Sequence, residues 1–194
     1  MFQFPGPFVF SASVENHAAI KEWLLPKITE KVRKDEGKTL NLRDKKFSEV
    51  VSSYGKNSQY LPELTDPSFL GQAIWCPMDQ MFDENPSLRR PSRSQIGNAW
   101  FNYFEKSDWH GPHVHHFSSF SAIYLLHLEE KNPTVFCNQW ALSSSQYDYH
   151  YTTEHLSEGS VIIFPSDLMH YVPPTNSHKR VTLSFNITST YELG

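Results

Sequence analysis

Three histidines in the second half of the chain have the spacing of a metal site. His113 and His115 are separated by one residue, so on an extended strand their side chains point to the same side. His170 follows a later apolar run and could reach the same point from a second strand. Neutral imidazole is a common protein ligand for iron, zinc, copper and nickel. The sequence therefore predicts that His113, His115 and His170 bind one metal ion together.

The last predicted strand, residues 179–188, alternates polar with apolar side chains. Its polar members are Arg180, Thr182, Ser184 and Asn186, and its apolar members are Val181, Leu183, Phe185 and Ile187. The polar face either meets solvent or lines the lumen of a barrel. In a lumen, the guanidinium of Arg180 would offer two parallel donors to a carboxylate, and the hydroxyl of Thr182 would lie beside it on the same face.

These side chains need a framework that brings distant segments together, and the second half of the chain predicts one. Five runs have the apolar or alternating pattern of strands, and they span residues 98–105, 119–128, 134–140, 159–165 and 179–188. No helical pattern separates them. The expected architecture is therefore an antiparallel sandwich or barrel.

The first half of the chain has a different pattern. Residues 8–14 predict a strand at one edge of a sheet, and Asn16 could cap a helix that follows. The apolar stripe of this helix consists of Ile20, Leu24, Ile28 and Val32. Pro26 interrupts the stripe and predicts a kink or an early end, because proline lacks the N–H that a helix needs. Residues 47–54 predict a second, shorter helix.

Residues 55–94 give a weaker signal because prolines punctuate them. Only the stretch 69–81 predicts regular structure, in the form of a short helix. The segment could serve as irregular packing around the core. Alternatively, it could form a lid over a substrate.

The composition limits the classes of protein that this chain can be. Its 194 residues are enough for one domain, which we predict over 1–194. Within this domain we expect residues 1–97 to form a helical and loop-rich support or cover. We expect residues 98–190 to form a strand-rich core that contains the metal site. A net charge of −4 gives no electrostatic case for nucleic acid binding. Cys76 and Cys137 lack a CxxC spacing, which fits a reduced, cytosolic chain.

Location and assembly give weaker signals. The N-terminus lacks a basic segment, and prolines interrupt its apolar residues, which argues against a signal peptide. No apolar run approaches the ~20 residues needed to span a bilayer. We therefore expect a cytoplasmic protein that binds no membrane. Homodimerisation through an edge strand is left open.

Several motifs in the second half, in this order and spacing, resemble the iron(II)- and 2-oxoglutarate-dependent oxygenases, and most closely a bacterial and phage subgroup with a His-x-His motif. The motifs are Pro112-His113-Val114-His115, the runs 121–125 and 159–166, His170 and the run 180–186. The resemblance covers roughly residues 98–187. It implies a mainly β fold, the double-stranded β-helix (a cupin-like jelly roll), with N-terminal helices packed on its outside.

The resemblance also implies a ligand set. His113 and His170 would bind iron(II). The wider superfamily has an aspartate or a glutamate at the position where this chain has His115. A neutral ligand would therefore replace an anionic one, which should weaken iron(II) binding and raise the charge of the site.

For the cosubstrate, the resemblance implies that Arg180 binds the distal carboxylate of 2-oxoglutarate with help from Thr182. Tyr124 and Asn102 are further candidates for lining the cosubstrate pocket, argued only from the strands that carry them.

The implied activity is that of a dioxygenase that uses Fe(II), 2-oxoglutarate and O2 and hydroxylates an unidentified protein side chain or small molecule. Two alternatives are left open. A three-histidine dioxygenase of the cupin type would need no 2-oxoglutarate; it accounts for His115 but leaves Arg180 without a role. A jelly-roll module could also bind a structural metal, or none, without catalysis. Structural zinc sites usually have four protein ligands, which favours an enzyme here.

Overall fold

Two antiparallel sheets form the framework of the computed structural model, which describes residues 8–34, 48–55, 60–137, 150–176 and 178–192. The strands are β1 (Phe10–Ser13), β2 (Ser48–Glu49), β3 (Val51–Ser52), β4 (Arg93–Phe104), β5 (Trp109–His113), β6 (Phe120–Leu128), β7 (Val135–Cys137), β8 (His150–Thr152), β9 (Ser160–Pro165), β10 (His170–Val172) and β11 (Arg180–Thr190). The helices are α1 (His17–Lys34), α2 (Pro67–Leu70) and α3 (Cys76–Glu84), with a 3₁₀ turn over Pro62–Thr65 and a π-helical turn over Gly71–Trp75.

The strands are divided between the two sheets. The larger sheet has the order β1-β9-β6-β11-β4-β3, and the smaller has the order β2-β5-β10-β7-β8. From β4 onwards the chain passes back and forth between them, and the described strand pairs are antiparallel. This is the topology of a jelly roll. The predicted mainly β fold is therefore confirmed.

β11 lies at the centre of the larger sheet, between β6 and β4. Its apolar side chains belong to the largest core cluster, and its polar side chains point the other way, into the space between the sheets. The polar members Arg180, Thr182, Ser184 and Asn186 are all buried. The alternation in the sequence is thus that of a barrel lining, and the solvent-exposed alternative is wrong.

The helices cover the outer face of the larger sheet. Ile20, Leu24 and Ile28 of α1 are buried in one cluster with residues of α2, α3 and the outward faces of β6, β9 and β11. Each such side chain contributes about 1.5–3 kcal/mol relative to an exposed position. The predicted placement of the N-terminal helices on the outside is confirmed. Within the described residues, no helix is long and apolar enough to span a membrane.

Two predictions for the first half are wrong. α1 continues through Pro26 to Lys34, so the early end is wrong, and the alternative of a kink stays a prediction. Leu24 and Ile28, which flank the proline, are fully buried, and their burial of about 3–6 kcal/mol together outweighs a proline cost of about 3 kcal/mol. The helix predicted over 47–54 is also wrong, because the described part of that stretch contains β2 and β3. β2 pairs with β5, and β3 pairs with β4. These pairings make the segment form strands instead of a helix.

The other element predictions fare better. β1 lies at a sheet edge as predicted, and the helix predicted over 69–81 is part of the longer helical region from α2 to α3. Four of the predicted strands correspond to β4, β6, β9 and β11. The run 134–140 contains β7, and its residues 138–140 lie outside the described residues. The sequence patterns do not predict the short strands β5, β8 and β10.

Candidate active site

Three imidazoles meet between the two sheets, at the ends of β5 and β10. His113 ends β5 directly opposite His170 of β10, and His115 follows in the next loop. One ring nitrogen from each histidine lies within 4.8 Å of those of the other two. The Nε2 atoms of His115 and His170 are 3.3 Å apart. Two nitrogens that bind one metal ion at about 2.1 Å are about 3.0–3.4 Å from each other, so this spacing fits shared coordination.

Backbone carbonyls orient two of these rings. Nδ1 of His113 donates to the carbonyl oxygen of Gly111 at 2.8 Å, and Nδ1 of His170 donates to that of Leu168 at 3.0 Å. Because a carbonyl oxygen only accepts, Nδ1 carries the proton and Nε2 keeps its lone pair for a metal. A register shift in the β5–β10 pairing begins at His170, and such bulges are common beside active sites.

Burial keeps these histidines neutral. It is the main cause that lowers the pKa of His115 to about 4 and holds the pKa of His170 well below its usual range. Burial also lowers the pKa of His113. Metals bind the neutral form of imidazole, so all three rings are in the ligating form at neutral pH. Within the described part of the chain, no carboxylate or cysteine joins this group.

Arg180 forms the far end of the same pocket. Its side chain is 1% exposed; Nη2 donates to Oγ1 of Thr134 at 3.0 Å, and the guanidinium lies 4.8 Å from the centroid of the Phe104 ring. Its Nε and Nη1 have no hydrogen-bond partner among the described residues. Burial lowers the pKa of Arg180 to about 9, which leaves the side chain cationic at neutral pH. A buried cation with free donors is costly unless an anion pairs with it, so this geometry indicates a carboxylate site.

Polar side chains of β4 and β11 line the wall between the histidines and Arg180. Asn102 lies opposite Thr182 in the strand register, and its Nδ2 donates to Oγ of Ser184 at 3.1 Å. Its Oδ1 is buried without a partner in the described structure. The space between these side chains that a water-sized molecule could occupy is about 20 Å³. Asn102 and Thr182 thus lie where the sequence placed them, and their binding to a cosubstrate stays a prediction.

Tyr124 does not line this pocket, so its assignment as a cosubstrate-binding candidate is wrong. Its side chain is fully buried on the opposite face of β6, and its hydroxyl lies 2.6 Å from Nδ1 of His17 in α1. Its neighbour Ile123 faces the pocket instead, because successive side chains of a strand alternate between its faces. β6 is buried on both faces, so its composition gave no indication of which residues point inward.

Two residues of the pocket were missed by sequence reasoning. His110 stacks on His113 with ring centroids 4.1 Å apart and an interplanar angle of 22°. Burial lowers its pKa to about 3, and the nearby His113, His115 and Arg180 lower it further. Thr134 is fully buried against Arg180. The Gly111-Pro112 pair between His110 and His113 is typical of a broken strand, so the spacing of these two histidines alone does not predict a shared pocket.

The second half of the chain matches a known family. Residues 98–186 match the model of the family described as "Putative 2OG-Fe(II) oxygenase". The matched region contains the three clustered histidines and Arg180, so the resemblance inferred from the sequence is confirmed. This matched region, a little under half of the chain, is thus similar to the 2OG-Fe(II) oxygenases, which are oxidoreductases. The family implies Fe(II), 2-oxoglutarate and O2.

Solved structures with a similar fold include enzymes of different activities. A prolyl-4-hydroxylase from Pseudomonas putida is 12% identical, with a TM-score of 0.58 over 93% of this chain and 92% of that chain. HygX from Streptomyces hygroscopicus, with nickel and 2-oxoglutarate bound, is 11% identical, with a TM-score of 0.55 over 96% of this chain and 84% of that chain. The alpha-ketoglutarate-dependent epimerase SnoN from nogalamycin biosynthesis is 12% identical, with a TM-score of 0.58 over 95% and 76%. At these identities the likeness concerns the fold alone. No curated protein matches the sequence significantly.

Proposed function

We propose that the protein is an Fe(II)- and 2-oxoglutarate-dependent dioxygenase that hydroxylates a protein side chain or a small molecule. The observation that carries this proposal is the buried guanidinium of Arg180, whose Nε and Nη1 are free, in the same pocket as three histidines. A ligand that satisfies both ends needs a carboxylate for Arg180 and a second group that can bind a metal. 2-Oxoglutarate has both. HygX, which shares the fold, was solved with nickel and 2-oxoglutarate.

The residues present fit these groups. His113, His115 and His170 would hold Fe(II) through neutral imidazole nitrogens, and Arg180 would hold the distal carboxylate of 2-oxoglutarate, with the Thr182 hydroxyl on the same face. When bound, iron and cosubstrate supply the oxidative chemistry, in which O2 is consumed, 2-oxoglutarate yields succinate and CO2, and one oxygen atom is transferred to the substrate.

The remaining pocket residues bind, orient and exclude water. Asn102 and Ser184 are fixed to each other by a hydrogen bond and present their polar edges to the cosubstrate. Phe104, Ile123 and Val172 supply apolar walls that keep the pocket dry. A dry pocket strengthens the attraction between Arg180 and a carboxylate because fewer water dipoles screen it.

A three-histidine dioxygenase that needs no 2-oxoglutarate is the second candidate. The specific observation in its favour is His115, which makes the third potential ligand neutral where the superfamily has a carboxylate. In that case Arg180 would bind a carboxylate of the substrate itself.

Anaerobic titration of the Fe(II)-loaded protein with 2-oxoglutarate tests the proposal. A chelated keto acid gives a weak visible charge-transfer band, which we expect for the wild type and expect to be lost or weakened in Arg180→Ala and His115→Ala. Iron retained without a band would overturn the 2-oxoglutarate assignment in favour of the second candidate. No iron uptake at all would leave a jelly-roll module without catalysis.

A further inference from the structure

His110 presents to the pocket two ring nitrogens that no described hydrogen bond uses. Its imidazole lines the pocket together with the metal-site histidines and Arg180. Among the described residues, no hydrogen bond reaches either of its ring nitrogens. It is also not a member of the group whose ligand atoms converge, because that group consists of His113, His115 and His170. Its role therefore has to be sought elsewhere than in metal coordination.

The position of His110 is between the two ends of the pocket. On one side its ring stacks on that of His113. On the other side, His110 lies opposite Val172 in the strand register, and Val172 packs with Phe104, the ring that supports the guanidinium of Arg180. His110 thus lines the pocket beside the metal-site histidines, and its ring is near enough to Arg180 for the charge of the guanidinium to act on it.

Hydrogen-bonding capacity then decides what His110 can do. His110 lines the pocket, and whatever its tautomer its imidazole carries at least one N–H that can donate to a ligand there. Arg180 has two further free donors in the same pocket. A carboxylate has two oxygens with about four acceptor positions, enough for the two Arg180 donors and one imidazole N–H. One anion can therefore satisfy both side chains.

We propose that His110 is a cosubstrate-binding residue that donates a hydrogen bond to the distal carboxylate of 2-oxoglutarate beside Arg180. This inference rests on the proposed function. It assigns to His110 a role separate from holding His113 in place by stacking, and the two roles predict different results for two keto acids.

The test compares 2-oxoglutarate with 2-oxopentanoate, which has the same keto-acid end and chain length but lacks the distal carboxylate. Dissociation constants of both are measured anaerobically from the charge-transfer band of the Fe(II) protein. His110→Phe keeps an aromatic ring on His113 and removes the donor. His110→Gln and His110→Asn keep an N–H in reach of the two ring-nitrogen positions. His155→Phe replaces an exposed histidine as the control.

We expect His110→Phe to weaken 2-oxoglutarate about tenfold or more, to leave 2-oxopentanoate and the iron stoichiometry unchanged, and to be rescued by His110→Gln or His110→Asn. Equal weakening of both keto acids, or loss of iron, would overturn the proposal and assign His110 to support of His113. Unchanged affinity for 2-oxoglutarate would overturn it as well. A wild-type protein that binds iron but neither keto acid would overturn the proposed function together with this inference.

Discussion

The Nε2 atoms of His115 and His170 lie 3.3 Å apart, although one residue belongs to a loop and the other to a short strand of the smaller sheet. The contact brings together two neutral imidazoles in a pocket whose only charged lining residue, among those described, is the cation Arg180. A divalent metal would add to this positive charge. The pocket is therefore electrostatically suited to a dianion such as 2-oxoglutarate.

Replacing His115 tests whether it is a ligand. His115→Ala should lower Fe(II) affinity by more than about tenfold, because one of three nitrogens is lost. His115→Asp should bind Fe(II) more tightly than His115→Ala, since it creates the two-histidine, one-carboxylate set. Competition with a chromogenic chelator measures both. His116→Ala changes the exposed neighbour and serves as the control; an equal loss there would attribute the effect to the loop.

Replacing Arg180 tests the cost of the unpaired cation. Arg180→Met should raise the free energy of unfolding of the metal-free protein by about 1–4 kcal/mol, because an apolar side chain replaces a fully buried charge that has one hydrogen bond. The same variant should lose 2-oxoglutarate binding. Urea unfolding measures the first effect. A lower free energy of unfolding would mean that Thr134 and Phe104 already compensate the charge.

Glu158 lies on the far side of the larger sheet, and its ionisation should make the stability of the folded protein depend on pH. Partial burial opposes its ionisation, but hydrogen bonds from Lys21, the Leu128 N–H, His17 and His127 outweigh that effect and lower its pKa to about 2. The folded pKa lies below the usual 4.5, so the stabilisation is fully present above pH 4.5 and is lost as the pH falls from there toward 2.

Glu158→Gln should therefore destabilise the protein by roughly 1–2 kcal/mol at pH 7, and the difference from wild type should shrink as the pH falls below 4.5. Urea unfolding at several pH values measures this. Glu154→Gln, at an exposed position, is the matched control and should show no such convergence. A difference that stays constant down to acid pH would show that shape rather than charge matters at Glu158.

Replacing Gly159 by alanine should have a steric effect. This effect can be separated from the cost of placing a residue with a side chain at a positive φ. Its φ is +88°, and an added Cβ would come within 2.8 Å of Cγ of His17. Gly55 has a φ of +77° with open space around the same position. Both glycine-to-alanine changes incur the left-handed penalty of about 1–2 kcal/mol, but only Gly159→Ala adds a clash. Thermal unfolding should show the larger loss for Gly159→Ala; equal losses would mean that α1 shifts freely.

The sequence predicted those features of the site that follow from periodicity within one strand. Arg180 shares an alternating face with Thr182, so the place of both on the pocket wall could be argued in advance. The convergence of His113 and His115 is predicted correctly but does not come from strand periodicity, because β5 ends at His113 and His115 lies in the following loop. The inward side of β6 could not, because both of its faces are buried and Tyr124 is as apolar a choice as Ile123. Tertiary contacts also decide the local structure around Pro26. Such contacts cannot be read from a local sequence pattern.

The place of His110 in the pocket could not be predicted from the sequence for another reason. It depends on a register shift between β5 and β10, and on Phe104 packing with Val172 of a strand too short to be recognised. Pairing register is fixed by interactions between strands rather than by the residues of either strand alone.

The central place of β11 has a consequence for how the protein folds. Asn102 and Ser184, hydrogen-bonded across β4 and β11, are 82 residues apart along the chain. Until β11 has been synthesised and inserted, β4 and β6 each lack a neighbour and expose an open edge that could pair with another molecule. Folds dominated by such non-local pairing take milliseconds to seconds to form. The pocket can therefore be complete only at the end of folding, and the nascent chain is at its most aggregation-prone just before then.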